Sequence, residues 1–143
     1  MSMRFFEYIN MVYESQYNMI GFQLPFSKYK WATPHLFDAF NVTDQVSITH
    51  SGQMEGGTLV FQKGPHSRKW MALCKSIIDK DPWMLTNRYN EEAKRLNTAF
   101  RENRHDQSVM SVARKKLGYV HVHGMETKNS RPEKPFHVMR KKD

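Results

Sequence analysis

The sequence has a single cysteine, Cys74, and no long apolar run. One cysteine cannot form a disulfide within the chain, which predicts a reducing compartment. No N-terminal segment has the apolar core of a signal peptide, and no stretch approaches the ~20 apolar residues that cross a bilayer. We therefore expect a cytoplasmic protein without a membrane span, in which Cys74 is a buried structural thiol rather than a nucleophile.

Acidic residues are also in short supply. Lys and Arg number 22 against 14 Asp and Glu, which gives a net charge of +8. The excess gathers in Arg114-Lys115-Lys116 and in 131–143. Such a balance favours an anionic partner, either nucleic acid, a phosphorylated small molecule or an acidic polymer, and does not choose among them. A solvated basic tail explains the same charge.

Apolar spacing predicts helices alternating with short strands. Helices are expected at 3–15 and at 107–117. Three more are expected to begin at Pro34 (with Thr33 as N-cap), at Pro65 (ending at Asp81-Pro82) and at Asn90. Strands are expected at 19–24 (ended by Pro25), at the glycine-led run 56–61 and at 119–123, with 41–54 as a polar loop. The order predicts an α/β fold with a mixed sheet flanked by helices.

The last helix has the clearest boundaries. Asp106 is its expected N-cap, Val109 and Val112 lie on its apolar face, and Gly118 is its expected stop. We expect strand 56–61 at the centre of the sheet, with helix 107–117 packed on it. Residues 1–124 then form one domain and 125–143 a basic, irregular C-terminal tail. Three strands make a small sheet for this class, so the domain is expected to be incomplete.

The densest group of functional side chains is 102–108, Glu-Asn-Arg-His-Asp-Gln-Ser. It precedes a helix N-terminus, whose free N–H groups and partial positive charge favour a carboxylate or phosphate. The simpler interpretation is a polar loop capped by Asp106.

The stretch 100–112, followed by Lys115-Lys116-Leu117-Gly118, resembles a motif of small bacterial and viral GT-A glycosyltransferases of capsule or glycan synthesis. That motif is a carboxylate, a variable residue, Arg-His-Asp-Gln-Ser, a hydrophobic helix and a Lys-x-Gly stop. The glycine run 56–61, Trp70 to Cys74, Trp31-Ala32-Thr33 and 135–140 are similar to further family segments. The resemblance covers most of the chain from Met19 onward.

GT-A enzymes transfer a sugar from a nucleotide-sugar to a glycan acceptor, usually with Mn²⁺ or Mg²⁺. Their N-terminal half binds the nucleotide and carries an Asp-x-Asp metal motif. Here Asp79-Lys80-Asp81 has those letters but ends a helix downstream of the glycine run, so we interpret it as a false match. The resemblance therefore implies the acceptor-side half alone, with the nucleotide-binding half lost or supplied by a second chain. Donor hydrolysis by this chain alone is expected to be weak or absent.

The same resemblance implies roles for individual side chains. Glu102 and Asp106 are the catalytic candidates, Glu102 with the chemical role and Asp106 with the structural one. The implied substrate-binding residues are Arg104 (for diphosphate), His105, Gln107 (for a sugar hydroxyl), Gly56, Gly57 and Trp31.

A second candidate site lies on the last strand. Alternation places His121 and His123 on one face, as a pair of metal ligands without an identified third. Two histidines on a half-exposed strand are the plainer alternative.

Three functions remain open from the sequence. The first is a glycosyltransferase, or its fragment or subunit, acting on a nucleotide-sugar and a glycan acceptor. The second is a non-catalytic GT-A remnant that serves as a binding subunit. The third is a small basic nucleic-acid-binding protein, which is the least favoured because the sequence has no recognised nucleic-acid motif.

Overall fold

A computed structural model describes residues 3–124. Its helices and strands follow one another in this order: α1 (Met3–Glu14), β1 (Ile20–Ser27), α2 (Pro34–Ala39), α3 (Val46–Thr49), β2 (Gly52–Met54), α4 (Pro65–Lys80), α5 (Asn90–Leu96), α6 (His105–Leu117) and β3 (Val120–His123). Short 3₁₀ turns occupy Lys28–Lys30 and Pro82–Leu85. The expected tail 125–143, which includes the family-like segment 135–140, lies outside the described residues.

The sheet has three strands in the order β2-β1-β3. The central strand β1 pairs with β2 antiparallel and with β3 parallel. The parallel register matches Ile20 with Val120 and Gln23 with His123. The expected α/β class with a small mixed sheet is confirmed.

The prediction of a central strand at 56–61 is wrong. The second strand in the chain, β2, lies instead at Gly52–Met54, at one edge of the sheet. This range falls inside the segment expected to be a loop, which also contains the short helix α3. Hydrophobicity does not identify β2, because this strand contains the polar residue Gln53. Gln53 is buried, and its Oε1 accepts a hydrogen bond from Lys28 Nζ at 2.6 Å. Of the predicted strand, only Phe61 joins β-structure, through a single bridge to Met19.

Pro25 does not end β1, contrary to expectation. The strand continues to Ser27. The partner β3 pairs only with residues 20–23, so Pro25 lies where β1 has lost its neighbour on that side. A proline without an N–H is tolerated at such an edge-like position.

The helix α6 buries the apolar face that its spacing indicated. Val109, Val112 and Ala113 of α6 are buried, and α6 packs on α4 and on β2. The helix α6 therefore meets the sheet at its edge strand β2, and not at 56–61 as predicted. A second apolar cluster lies under α1, around Tyr8.

Two predicted helix boundaries are confirmed. Thr33 Oγ1 accepts a hydrogen bond from Leu36 N at 3.2 Å, as an N-cap does. Gly118 follows α6 at φ 93°, in the left-handed region that favours glycine. No helix within residues 3–124 has the length and apolar content that a membrane crossing needs.

Buried cations tie α6 to its surroundings. The fully buried Lys28 also donates to the carbonyl of Ser108 at 3.1 Å. Lys115 donates to Ser51 Oγ at 2.6 Å and to the Ile48 carbonyl at 3.2 Å. Burial lowers the pKa of Lys115 to about 7 and holds that of Lys28 well below its usual range, the latter with help from the charges of Lys115 and Arg114.

Candidate functional site

A polar cleft of about 540 Å³ lies at the N-terminus of α6. It contains seven of the eight residues predicted to be catalytic or substrate-binding, all except Trp31. Its complete lining is Gly56, Gly57, Asn87, Glu102, Asn103, Arg104, His105, Asp106 and Gln107. The glycines come from the loop after β2 and most of the rest from the segment that enters α6, so the fold joins two stretches that are far apart in sequence.

Close packing fixes the glycine loop against α6. A Cβ added at Gly56 would lie 2.9 Å from the side chain of Gln107, so only glycine fits there without displacing that side chain. Gln107 Nε2 donates to the Met54 carbonyl at 2.7 Å, which ties the helix to the end of β2. Gly57 N donates to Glu55 Oε1 at 3.0 Å. Contacts between side chains and the backbone therefore set the position of this cleft wall, and the two glycines lie in a loop rather than in a strand.

The start of α6 differs from the prediction. Asp106 is not the N-cap, since the helix begins one residue earlier, and its Oδ1 instead accepts a hydrogen bond from the adjacent Gln107 N at 2.9 Å. His105 enters the helix at φ 48°, a left-handed backbone that only a few per cent of non-glycine residues adopt. Ser108 Oγ accepts from Arg104 N at 3.1 Å. Because the helix begins in this way, Asp106 stays exposed on the wall of the cleft.

Asn103 carries a buried acceptor without a partner. Its Nδ2 donates to the carbonyls of Met84 at 2.9 Å and Thr86 at 3.0 Å, which fixes the orientation of the amide because two carbonyls face the NH₂ group. Among residues 3–124 its Oδ1 has no hydrogen-bond partner and is shielded from solvent. Buried acceptors are nearly always satisfied, so this oxygen calls for a donor from a ligand or an ordered water. No sequence pattern pointed to this role of Asn103 beyond the polar segment itself.

The residues on either side of Asn103 in the sequence form an ion pair in the same cleft. Glu102 Oε1 lies 3.1 Å from Arg104 Nη2, and both side chains are substantially exposed. Exposed pairs contribute little to stability, so the pair mainly orients its two groups. The guanidinium of Arg104 also sits over the Trp31 ring at 4.6 Å. Trp31 therefore supports Arg104 and is not part of the cleft lining.

The imidazole of His105 lies at the rim. Its Nε2 is 2.8 Å from Asn87 Oδ1, a cleft residue that sequence analysis did not single out. Asn87 lies eighteen positions upstream, and nothing in its local sequence distinguishes it from a turn residue.

The two histidines of β3 lie apart from the cleft. His121 and His123 are exposed, and neither lines the cleft. Between residues 3 and 124 there is no group of three or more His, Cys, Asp or Glu side chains that could hold a metal. The metal-ligand assignment of this pair stays a prediction.

The described residues likewise do not fit an Mn²⁺ or Mg²⁺ site. The cleft offers two carboxylates, and one of them is paired with Arg104. In the segment with the Asp-x-Asp letters, Asp79 pairs with Lys75, and Asp81 accepts from Trp83 N at 3.0 Å and from Tyr89 Oη at 2.5 Å. These local bonds agree with its interpretation as a helix end, and we derive no step through a metal.

Comparison with family models, with curated proteins and with solved structures finds no match to this chain. The interpretation of the cleft therefore depends on its geometry and on the motif. Chemically, the cleft combines carboxylate acceptors, a guanidinium donor, an imidazole and one buried amide oxygen. A few convergent polar groups in a concave site are typical of a small-molecule ligand site.

Proposed function

We propose that this cleft binds the hydroxyl-rich acceptor of a glycosyl transfer, and that the chain is a GT-A-type glycosyltransferase or its acceptor-side subunit. The observation that carries the proposal is the buried, unpaired Oδ1 of Asn103, a residue that lines the cleft with five other residues of the segment 102–108. A saccharide hydroxyl both donates and accepts hydrogen bonds. It can donate to this oxygen while its neighbours bind the carboxylates and Arg104.

The reaction needs a base for the acceptor hydroxyl. In glycosyl transfer the acceptor oxygen bonds to the anomeric carbon, the bond from that carbon to the leaving phosphate oxygen breaks, and a carboxylate takes the hydroxyl proton. Since Asp106 does not cap α6, it joins Glu102 as a candidate for this base. Arg104 suits the departing diphosphate, as a guanidinium binds two oxygens at once.

The donor itself remains part of the proposal. The resemblance assigns nucleotide binding and the divalent metal to a separate half of the GT-A fold. We assign these functions to residues outside the described cleft, with a second chain as the implied partner. A binding subunit without turnover would use the same cleft for the same acceptor.

The test is an NMR titration of the labelled protein with a panel of methyl glycosides. We expect the side-chain amide signals of Asn103 and Gln107 to shift with at least one saccharide. The variant Glu102→Gln should weaken that binding about tenfold or more, as loss of a hydrogen bond to a charged group does. Its free energy of unfolding should stay within about 0.5 kcal/mol of the parent, because the side chain is exposed.

Glu91→Gln is the matched control. Glu91 is also exposed and also paired with a cation, Lys94, at 3.1 Å, but it lies outside the cleft. Its variant should bind saccharides as the parent does. If no glycoside of the panel shifts the cleft signals, or if both variants lose binding equally, the proposal is wrong.

A further inference from the structure

An apolar groove of about 360 Å³ lies between α4 and α6, beside the polar cleft. Trp70, Met71, Ile78, Leu85 and Met110 form much of its surface. Asp106 lines both the groove and the cleft, so the two cavities are adjacent at this exposed residue. The side chain of Met71 is 57% exposed in the groove wall, which leaves apolar surface open to a ligand.

Apart from Asp106, the polar side chains of the groove are either paired or uncharged. Trp70 Nε1 donates to the Met110 carbonyl at 3.2 Å. Burial raises the pKa of the Cys74 thiol to about 11, so this group stays neutral. At the rim, Lys75 and Asp79 pair with each other. The groove therefore suits a hydrocarbon and offers little to a polar ligand.

We propose that the groove holds the hydrocarbon part of an amphipathic acceptor whose saccharide occupies the cleft, with Asp106 at the junction between the two parts. The inference rests on the proposed function and names its substrate class, a saccharide joined to an alkyl chain. The shared wall favours this occupant, because one ligand crossing at Asp106 fills both cavities. It also sets the acceptor's polar end against the carboxylates.

The test uses methyl, butyl, hexyl and octyl β-glucosides and β-galactosides, each below its micelle concentration. The Kd is measured by NMR titration, together with the shift of the Trp70 indole signal. A fully buried methylene raises affinity about fourfold, and in this open groove we expect about twofold per methylene. An alkanol of equal chain length should bind more weakly than the alkyl glycoside, since it lacks the cleft contacts.

Two variants separate the groove from the cleft. Met71→Glu should abolish the gain with chain length and leave the affinity for the methyl glycoside unchanged. Leu96→Glu is the control, as Leu96 is also exposed (64%), also helical and outside the groove. It should change neither quantity.

The outcomes distinguish the two proposals. If methyl glycosides bind and chain length has no effect, or if alkanols bind as tightly as alkyl glycosides, the amphipathic acceptor is refuted while the cleft assignment stands. If chain length matters but no saccharide shifts the cleft signals, the proposed function fails and the acceptor inference fails with it. Equal loss in both glutamate variants would also refute the groove.

Discussion

The burial of Lys115 predicts that the protein becomes more stable as pH rises above neutrality. Its ammonium is bound by a hydroxyl and a carbonyl, Ser51 Oγ and Ile48 O, and burial lowers its pKa from 10.5 to about 7. In the unfolded chain the amine keeps its ordinary pKa. Between these two values the unfolded state binds more protons than the folded state, so stability rises with pH.

The size of the effect follows from the two pKa values. Below about pH 7 the amine is protonated in both states, and its contribution to the slope disappears. From about pH 7 to pH 9 the free energy of unfolding should rise by about 2 kcal/mol from this residue. Lys28 acts in the same direction, because its pKa is also lowered by burial. Near pH 9 and above, the raised pKa of Cys74 acts in the opposite sense, and the raised pKa of Tyr119 does so at still higher pH.

Urea unfolding at pH 7, 8 and 9 measures this slope for the parent and for Lys115→Met. The methionine variant keeps the aliphatic stem and removes the titrating amine, so its stability should rise by about 2 kcal/mol less over the window. Lys75→Met is the control, since the Lys75 side chain is 74% exposed. An unchanged slope in Lys115→Met, or a parent stability that falls over the window, would refute the buried lysine.

Two further pairs of variants test the cleft itself. His105 has φ 48°, so His105→Gly should be more stable than His105→Ala by about 1 kcal/mol, the reverse of the usual order in a helix, as thermal melts would reveal. Gly56→Ala should weaken saccharide binding, because its Cβ would come within 2.9 Å of Gln107, whereas Gly57→Ala meets nothing nearer than 3.4 Å and should bind normally in the same titration. Equal melting of the first pair or equal binding by the second would contradict the geometry described.

Helices were predictable where a single apolar face decides them. The spacing of Val109 and Val112 identified α6, and Thr33 and Gly118 marked helix ends through local chemistry. The strand β2 was not predictable from hydrophobicity, because its buried residue Gln53 is polar and bonds to Lys28 on a distant turn. The sequence of a strand that is stabilised by a long-range polar contact shows no alternation of apolar and polar residues.

The candidate site shows the same division. Glu102 to Gln107 are consecutive, so their clustering in one cleft was expected from the chain alone. The approach of Gly56 to Gln107 depends on how β2 meets α6, and the unpaired oxygen of Asn103 depends on two carbonyls contributed by a 3₁₀ turn and its end. Such contacts arise from tertiary packing, which local spacing does not encode.

We propose that Asn103 Oδ1 receives a saccharide hydroxyl. A crystal structure of the protein soaked with the tightest-binding alkyl glycoside tests it most directly. We predict a saccharide hydroxyl within about 3 Å of Oδ1, with the alkyl chain running past Asp106 toward Trp70. A saccharide bound elsewhere, with this oxygen bound only to a water molecule, would contradict the account.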